Sequence, residues 1–439
     1  MDELQQKNNR RVWVKRVVAV SIGVGIAALS FLGGFFTKQW TQDKELQILT
    51  EMKDMIQKEY YQTVTDEQFY DAAIKGVNEY LLDPYSKYMT RAETLEAKNR
   101  GKGKYEGVGL AFLTSATGEQ ALRIQRVSGN SPAENAGVVA GSYVVGTSSL
   151  DEEMQPVDTY QAFIDALARY ETDEEFYLYT RTQRNEIQTE QYRVKKSAYV
   201  ENYVYYRDKT KSYRFSGKED ATASAWGTGI DALPEDTAYI RLVQFNGNAA
   251  LAFDSAMDIF KQENKTNLVL DLRGNGGGCL KIMQKISKYF CKNTTEKTPV
   301  VAYAEYEDSR EEYRATGNVY DEYFDENSQI YVLADSSSAS ASECLLGAMI
   351  DYGATSYGNI CLSKRGEEVK TFGKGIMQVT FTLSIFRGDS LKLTTAKIVW
   401  PSKKCIHGRG ILLEDGTKTV DEDEFGDVEI IDALQQFGI

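Results

Sequence analysis

Ile330-Tyr331-Val332-Leu333-Ala334-Asp335-Ser336-Ser337-Ser338-Ala339-Ser340-Ala341-Ser342-Glu343, residues 330–343, decides the fold. Its first five residues are a continuous apolar strand, and Ser342 to Tyr352 reads as the helix that follows. The same cadence occurs twice upstream. Ala238 to Phe245 is a strand and Ala249 to Lys261 a helix. Leu268-Val269-Leu270-Asp271-Leu272 is a second apolar strand, and Leu280 to Phe290 a helix. Fully apolar strands between helices predict a parallel sheet covered on both faces. Sites in such sheets form at the carboxyl ends of the strands.

Two of these strand ends are unusual. One is the serine–alanine run after Ala334. The other is Asp271-Leu272-Arg273-Gly274-Asn275-Gly276-Gly277-Gly278. A serine at a strand-to-helix turn sits among free backbone N–H groups, where the helix dipole favours an anion. A glycine-rich turn on the neighbouring strand brings a second N–H close, and the pair makes an oxyanion hole. The plainer readings are a tight turn or phosphate cradle for the glycines and a helix cap for the serines. No G-x-x-x-x-G-K-[ST] follows, which argues against a P-loop.

A serine nucleophile needs a base. The chain has one histidine, His407, so two-histidine metal motifs are excluded and a nucleophile must use His407 or do without. The alternative base is a lysine held neutral by burial. Lys374, in Thr371-Phe372-Gly373-Lys374-Gly375-Ile376-Met377-Gln378, stands between two glycines in an apolar stretch, an odd setting for a solvated lysine. Burial among Phe372, Ile376 and Met377 is expected to lower its pKa.

Outward from this core the texture changes. Residues 196–236 are ambiguous, a Tyr-rich strand pattern followed by a polar stretch. Residues 105–195 form a compact mixed unit. Gly107 to Phe112 and Ala121 to Val127 are strands, Ser131-Pro132 opens a short helix, Thr159 to Tyr170 is a second helix, and Phe176–Thr180 and Gln188–Val194 are strands. Lys98 to Lys104 looks like a linker, and 43–82 like two amphipathic helices ended by Asp83-Pro84-Tyr85-Ser86. Residues 17–36 carry no charge and follow Lys7, Arg10, Arg11, Lys15 and Arg16. Twenty such residues span roughly 30 Å as a helix, a bilayer core. The positive-inside rule leaves 1–16 cytoplasmic and exports the rest; a cleaved signal peptide is the alternative.

These motifs together resemble the C-terminal processing (tail-specific) serine proteases, peptidases with a Ser–Lys dyad and a PDZ domain. The matches run in order: Leu82-Asp83-Pro84-Tyr85-Ser86, Gly107-Val108-Gly109-Leu110, Ser131 to Gly137, Asp271-Leu272-Arg273, Ser338 to Glu343, Phe372-Gly373-Lys374-Gly375 with Gln378, and Leu391 to Lys397 with Pro401. The resemblance implies Ser340 as nucleophile, Lys374 as general base and Gln378 as the residue that orients it. It implies oxyanion donors from the backbone N–H of Ala341 and of Gly277 or Gly278. It implies a ClpP/crotonase-like α/β core with a mixed sheet over 196–439. A PDZ domain over 104–195 would take a substrate's C-terminal carboxylate on the Gly107, Val108, Gly109, Leu110 loop. Helices over 37–103 are a possible homo-oligomer contact. The departures are Gly141-Ser142-Tyr143-Val144 and Thr147-Ser148-Ser149 in the PDZ unit, an extra loop over Cys361–Lys370, and Gly274-Asn275-Gly276 after Arg273.

Composition sets the rest. With 439 residues, 51 basic and 64 acidic, the net charge is −13, which argues against nucleic-acid binding. Five cysteines with no C-x-x-C argue against zinc and thioredoxin-like chemistry. No metal or cofactor is expected. The expected function is a membrane-anchored extracytoplasmic endopeptidase acting on exported proteins. The alternative is a catalytically silent PDZ scaffold, and a more remote one an esterase, disfavoured by the absence of G-x-S-x-G.

Overall fold

The computed structural model of the protein describes residues 44–112, 122–183, 186–218, 220–364, 369–383, 388–421 and 427–439. The chain divides into two compact units, residues 1–82 and 83–439. The described part of the first is two helices, α1 (Lys44–Glu59) and α2 (Asp66–Tyr80). Thr65 caps α2: its hydroxyl accepts the Gln68 N–H, and the Gln68 side chain accepts the Thr65 N–H. Neither helix buries a residue within the chain. The run 17–36 lies outside the described residues; among those described, no helix is long and apolar enough to cross a membrane.

The second unit opens with β1 (Lys87–Met89), α3 (Arg91–Gly101) and β2 (Lys104–Gly107). The stretch expected to be a linker is therefore the end of α3 and the start of β2. Thr90 and Glu93 cap α3 reciprocally, and Lys98 and Arg100 lie in its last turn, where cations suit the dipole. The helix buries no side chain, so its sequence carries no apolar stripe to read.

An α+β insert follows: β3 (Leu110–Phe112), β4 (Ile124–Val127), α4 (Pro132–Ala136), β5 (Tyr143–Ser148), β6 (Gln155–Pro156), α5 (Tyr160–Leu167), β7 (Glu175–Arg181) and β8 (Glu190–Lys195). Its own core gathers Val108, Ile124, Phe163, Phe176, Leu178 and Val194. The single strand expected over Gly107–Phe112 is two, broken at Val108-Gly109. β2 pairs with β9 (Ser197–Val200), from Lys104↔Val200 to Gly107↔Ser197, so both ends of the insert leave along one ribbon.

The rest of the chain runs β10 (Val204–Arg207), β11 (Ser212–Phe215), β12 (Ala223–Ala225), β13 (Thr237–Leu242), α6 (Ala249–Gln262), β14 (Asn267–Asp271), α7 (Leu280–Ile286), β15 (Val300–Glu305), β16 (Arg310–Arg314), α8 (Tyr320–Tyr323), β17 (Ile330–Ala334), α9 (Ala341–Asp351), β18 (Ile360–Lys364), β19 (Ile376–Thr382), β20 (Ser390–Val399), β21 (Lys418–Asp421) and α10 (Val428–Phe437). The main sheet has the order β12-β11-β10-β13-β14-β17-β18-β21. From β13 to β21 neighbours are parallel; β10, β11 and β12 run antiparallel. The sheet is mixed because the ambiguous region 196–236 supplies its antiparallel strands. A second sheet, β1-β20-β15-β16, carries β19 on β20. Helix α9 is buried from Ala341 to Met349, which explains why its sequence is apolar on every side.

Candidate active site

β14 and β17 are parallel neighbours, Leu268↔Ile330 to Asp271↔Leu333, so their terminal loops emerge side by side. The loops are fastened to each other. The Asp335 carboxylate accepts the N–H groups of Gly274 at 3.0 Å and Ser337 at 2.9 Å. Ser338 Oγ accepts the Asp335 N–H at 2.9 Å and donates to the Leu272 carbonyl at 2.8 Å. Ser342 Oγ donates to the Asn275 carbonyl at 2.9 Å, which also accepts the Ala339 N–H at 3.0 Å. Ser338 and Ser342 are thus buried and committed to the scaffold.

Ser340 differs from both. It is half-buried and has φ 58° and ψ −112°, a left-handed backbone rare for a residue with a side chain. Such strain costs about 1–3 kcal/mol and survives only where the surroundings impose it. Its hydroxyl does not cap the helix. Ala341 is the first residue of α9, where N–H groups have no intrahelical acceptor. Gly277, with φ 94°, lies against this turn. A Cβ there would stand 2.9 Å from Ser340 Cβ and Ala341 N, and 2.7 Å from the Ala339 carbonyl. Of the two oxyanion candidates, Gly277 already donates its N–H to Asn275 Oδ1 at 2.9 Å. The Gly278 N–H has no acceptor among the described residues.

Glu343 joins this turn to the lysine. Its carboxylate, 1% exposed, accepts four hydrogen bonds. They come from Ser340 N (2.9 Å), Thr371 Oγ1 (2.6 Å), Gly373 N (2.7 Å) and Lys374 N (2.9 Å). Burial pushes the carboxyl above its usual pKa, against the pull of these donors. In the sequence Glu343 only closes the serine motif, and its role emerges from the fold. The signal was there: Ser340-x-x-Glu343 has capping-box spacing.

The Lys374 side chain is half-buried, with its amine 4.9 Å from the centroid of the Tyr85 ring. Burial lowers its pKa and the Lys392 ammonium lowers it further, while Asp83 and Glu343 oppose both. The expected cover differs in part. Phe372 is 47% exposed, and Met377 Sδ receives the Tyr313 hydroxyl, so Tyr85, remote in sequence, supplies an aromatic wall. Gln378 does not hold the amine here. Its Nε2 donates to Thr394 Oγ1 at 3.1 Å, and among the described residues no hydrogen bond joins Lys374 Nζ to Gln378 or Ser340. Thr394 is in turn bonded to the Asp83–Ser86 turn: its N–H donates to Ser86 Oγ at 2.8 Å and its hydroxyl to Asp83 Oδ1 at 3.2 Å.

His407 is brought closer than its sequence position suggests. A Cβ on Gly375 would meet His407 N at 2.9 Å, and Gly408 N donates to the Gly373 carbonyl at 2.8 Å. The imidazole itself is exposed and bonds to neither Ser340 nor Lys374. Cys344, one turn along α9, is buried and its thiol is pushed far above the usual range. All five cysteines are free. Gly107, Val108, Gly109 and Leu110 sit at the β2–β3 break of the insert, where the Val108 carbonyl accepts the Ala133 N–H at 2.9 Å.

Residues 236–414 match the model of peptidase family S41, and residues 35–94 match that of the activating protease CtpB N-terminal domain. A probable CtpA-like serine protease of Staphylococcus saprophyticus is 26% identical over 424 residues, covering 94% of this chain and 74% of its own length. The carboxy-terminal processing protease CtpB of Bacillus subtilis is 26% identical over 375 residues, covering 84% and 67%. Among solved structures, the photosystem II D1 C-terminal processing protease aligns with a TM-score of 0.47 at 22% identity, covering 85% of this chain and 86% of its own.

Proposed function

Because the chain belongs to peptidase family S41 and is a C-terminal processing serine protease, we propose that Ser340 is its nucleophile and Lys374 its general base. The observation that carries this is the Glu343 carboxylate, which bonds the backbone N–H of both residues at 2.9 Å. In the reaction, Ser340 Oγ gives its proton to the neutral Lys374 amine as it bonds the scissile carbonyl carbon. The carbonyl oxygen becomes an oxyanion held by the N–H groups of Ala341 and Gly278. The Lys374 ammonium then protonates the leaving nitrogen as the C–N bond breaks. Lys374 next takes a proton from the water that hydrolyses the acyl-enzyme. Gln378, bonded to Thr394 at 3.1 Å, orients the amine once it exchanges that partner for it.

The wider reading places residues 17–36 across a membrane, with the catalytic body outside the cytoplasm. The insert acts as a PDZ domain: the Gly107–Leu110 loop takes the C-terminal carboxylate of exported protein substrates, which add as a strand beside it. The core is of the ClpP/crotonase-like kind. The N-terminal helices pair with a second copy. Leu46, Ile48, Met52 and Met55 of α1 support that contact, since each is more than half exposed.

Lys374→Arg keeps a positive charge but cannot accept a proton at neutral pH. It should leave no measurable cleavage of an unfolded protein substrate with the fold intact by circular dichroism. Cleavage at the wild-type rate would remove Lys374 from the reaction.

A further inference from the structure

We propose that Lys392 is a positioning residue that acts through charge: a positive neighbour that keeps Lys374 in its neutral, proton-accepting form. The inference rests on the reading of Lys374 as the general base. It starts from an arrangement a strand pair ordinarily avoids. Lys392 of β20 lies directly opposite Lys87 of β1. Like charges so placed destabilise a sheet. Lys87 has Glu93 at 3.8 Å to offset this. Lys392 has no ion-pair partner among the described residues.

The surroundings of Lys392 and Lys374 are shared. Thr394, two residues along β20 and so on the same face, receives Gln378 and is fastened to the Asp83–Ser86 turn. Tyr85 of that turn lies against the Lys374 amine. The face of β20 that carries Lys392 thus belongs to the lysine's surroundings, and after burial the Lys392 charge is the next cause of the lowered Lys374 pKa. The other groups facing Lys374 are Asp83, Glu343 and the neutral Tyr85 ring; those facing Lys392 are Lys87 and Asp83. Both carboxylates are committed. Asp83 accepts Tyr85 N, Ser86 N, Ser86 Oγ and Thr394 Oγ1, and Glu343 accepts its four donors. Neither forms an ion pair with either lysine. Lys374 is only half-buried, so desolvation is partial, and a like charge supplies a second reason for the amine to release its proton. Activation of a lysine by a neighbouring cation is an established device of amine catalysis.

The test uses the full-length protein and two readouts. The first is the pH profile of kcat/KM on an unfolded protein substrate. The second is the pH dependence of Lys374 acylation by an amine-reactive reagent, read by mass spectrometry, which does not depend on catalysis. Lys392→Met should move the acid limb of the first and the midpoint of the second upward by about 0.5–1 pH unit, the ordinary size of a single-charge perturbation. Lys392→Arg, which keeps the charge, should leave both in place. Unmoved labelling in Lys392→Met, or an equal shift in Lys392→Arg, overturns the proposal. A shift in labelling without one in kcat/KM would uphold the charge coupling and reject Lys374 as the base. Should Lys392→Met fail to fold, Lys392→Gln carries the same expectation.

Discussion

At the residue scale, the site is organised by what is already occupied. Ser338 and Ser342 spend their hydroxyls on the Leu272 and Asn275 carbonyls, and Gly277 spends its N–H on Asn275. Among the described residues, Ser340 Oγ and the Gly278 N–H are left without such a partner. Glu343 holds the serine turn and the lysine segment by four bonds, all of which need an acceptor. Glu343→Gln puts an amide donor against some of these donors. It should lower kcat by about 10–100-fold, the scale of a small misplacement of reacting groups, with KM changed far less. A wild-type kcat in that variant would remove the tie from the mechanism. Lys374 carries the opposite expectation for stability. Its pKa is lowered in the folded state, so between that value and its ordinary one the unfolded chain binds more protons. Stability therefore rises with pH through that window, and at neutral pH the half-buried amine weakens the fold. Lys374→Met should melt at a higher temperature than wild type while being inactive; a lower melting temperature would contradict this.

At the scale of elements, the β14 and β17 loops act as one piece. Removing the Ser338 or the Ser342 hydroxyl takes one hydrogen bond from a carbonyl that keeps another donor, at a cost of about 0.5–1.5 kcal/mol. Ser338→Ala and Ser342→Ala should each lower the denaturant midpoint accordingly while retaining cleavage, whereas Ser340→Ala should leave the midpoint near or above that of wild type. An inactive but fully stable Ser338→Ala would point to the wrong serine. Much of this was legible in sequence. The apolar Leu268-Val269-Leu270 of β14 and the apolar β17 announced a buried parallel pair, and the serine and glycine runs marked their ends. The conformation of Ser340 and the engagement of Gly277 were not legible, since both depend on two loops meeting across the sheet. The same holds for Tyr85, which is 289 positions from Lys374 (374 − 85), and for His407, whose distance along the chain hid its closeness to Gly375. Helix α3 was missed for a different reason: it buries nothing, and periodicity reads only a buried stripe.

At the scale of the molecule, one buried network links the loop after β14 to the far edge of the main sheet. Arg273 bonds Asp271 through two nitrogens and reaches Glu429 of α10 at 2.7 Å, and Tyr239 donates to Asp271 at 2.5 Å. Burial would raise the Asp271 pKa, but Arg273 and these bonds hold it below the usual carboxylate range. Its contribution to stability is present above the ordinary aspartate pKa and is lost as pH falls through the lower folded value. Asp271→Asn should cost about 3–5 kcal/mol at pH 7, with a smaller deficit at pH 3 than at pH 7 by urea unfolding; an equal deficit at both would show that the charge is immaterial. The proposed reaction turns on one hydroxyl. The most direct measurement is the rate at which full-length Ser340→Ala cleaves an unfolded protein, beside wild type at the same concentration and pH. The predicted result is no cleavage above background from a folded chain, and cleavage at the wild-type rate would contradict it.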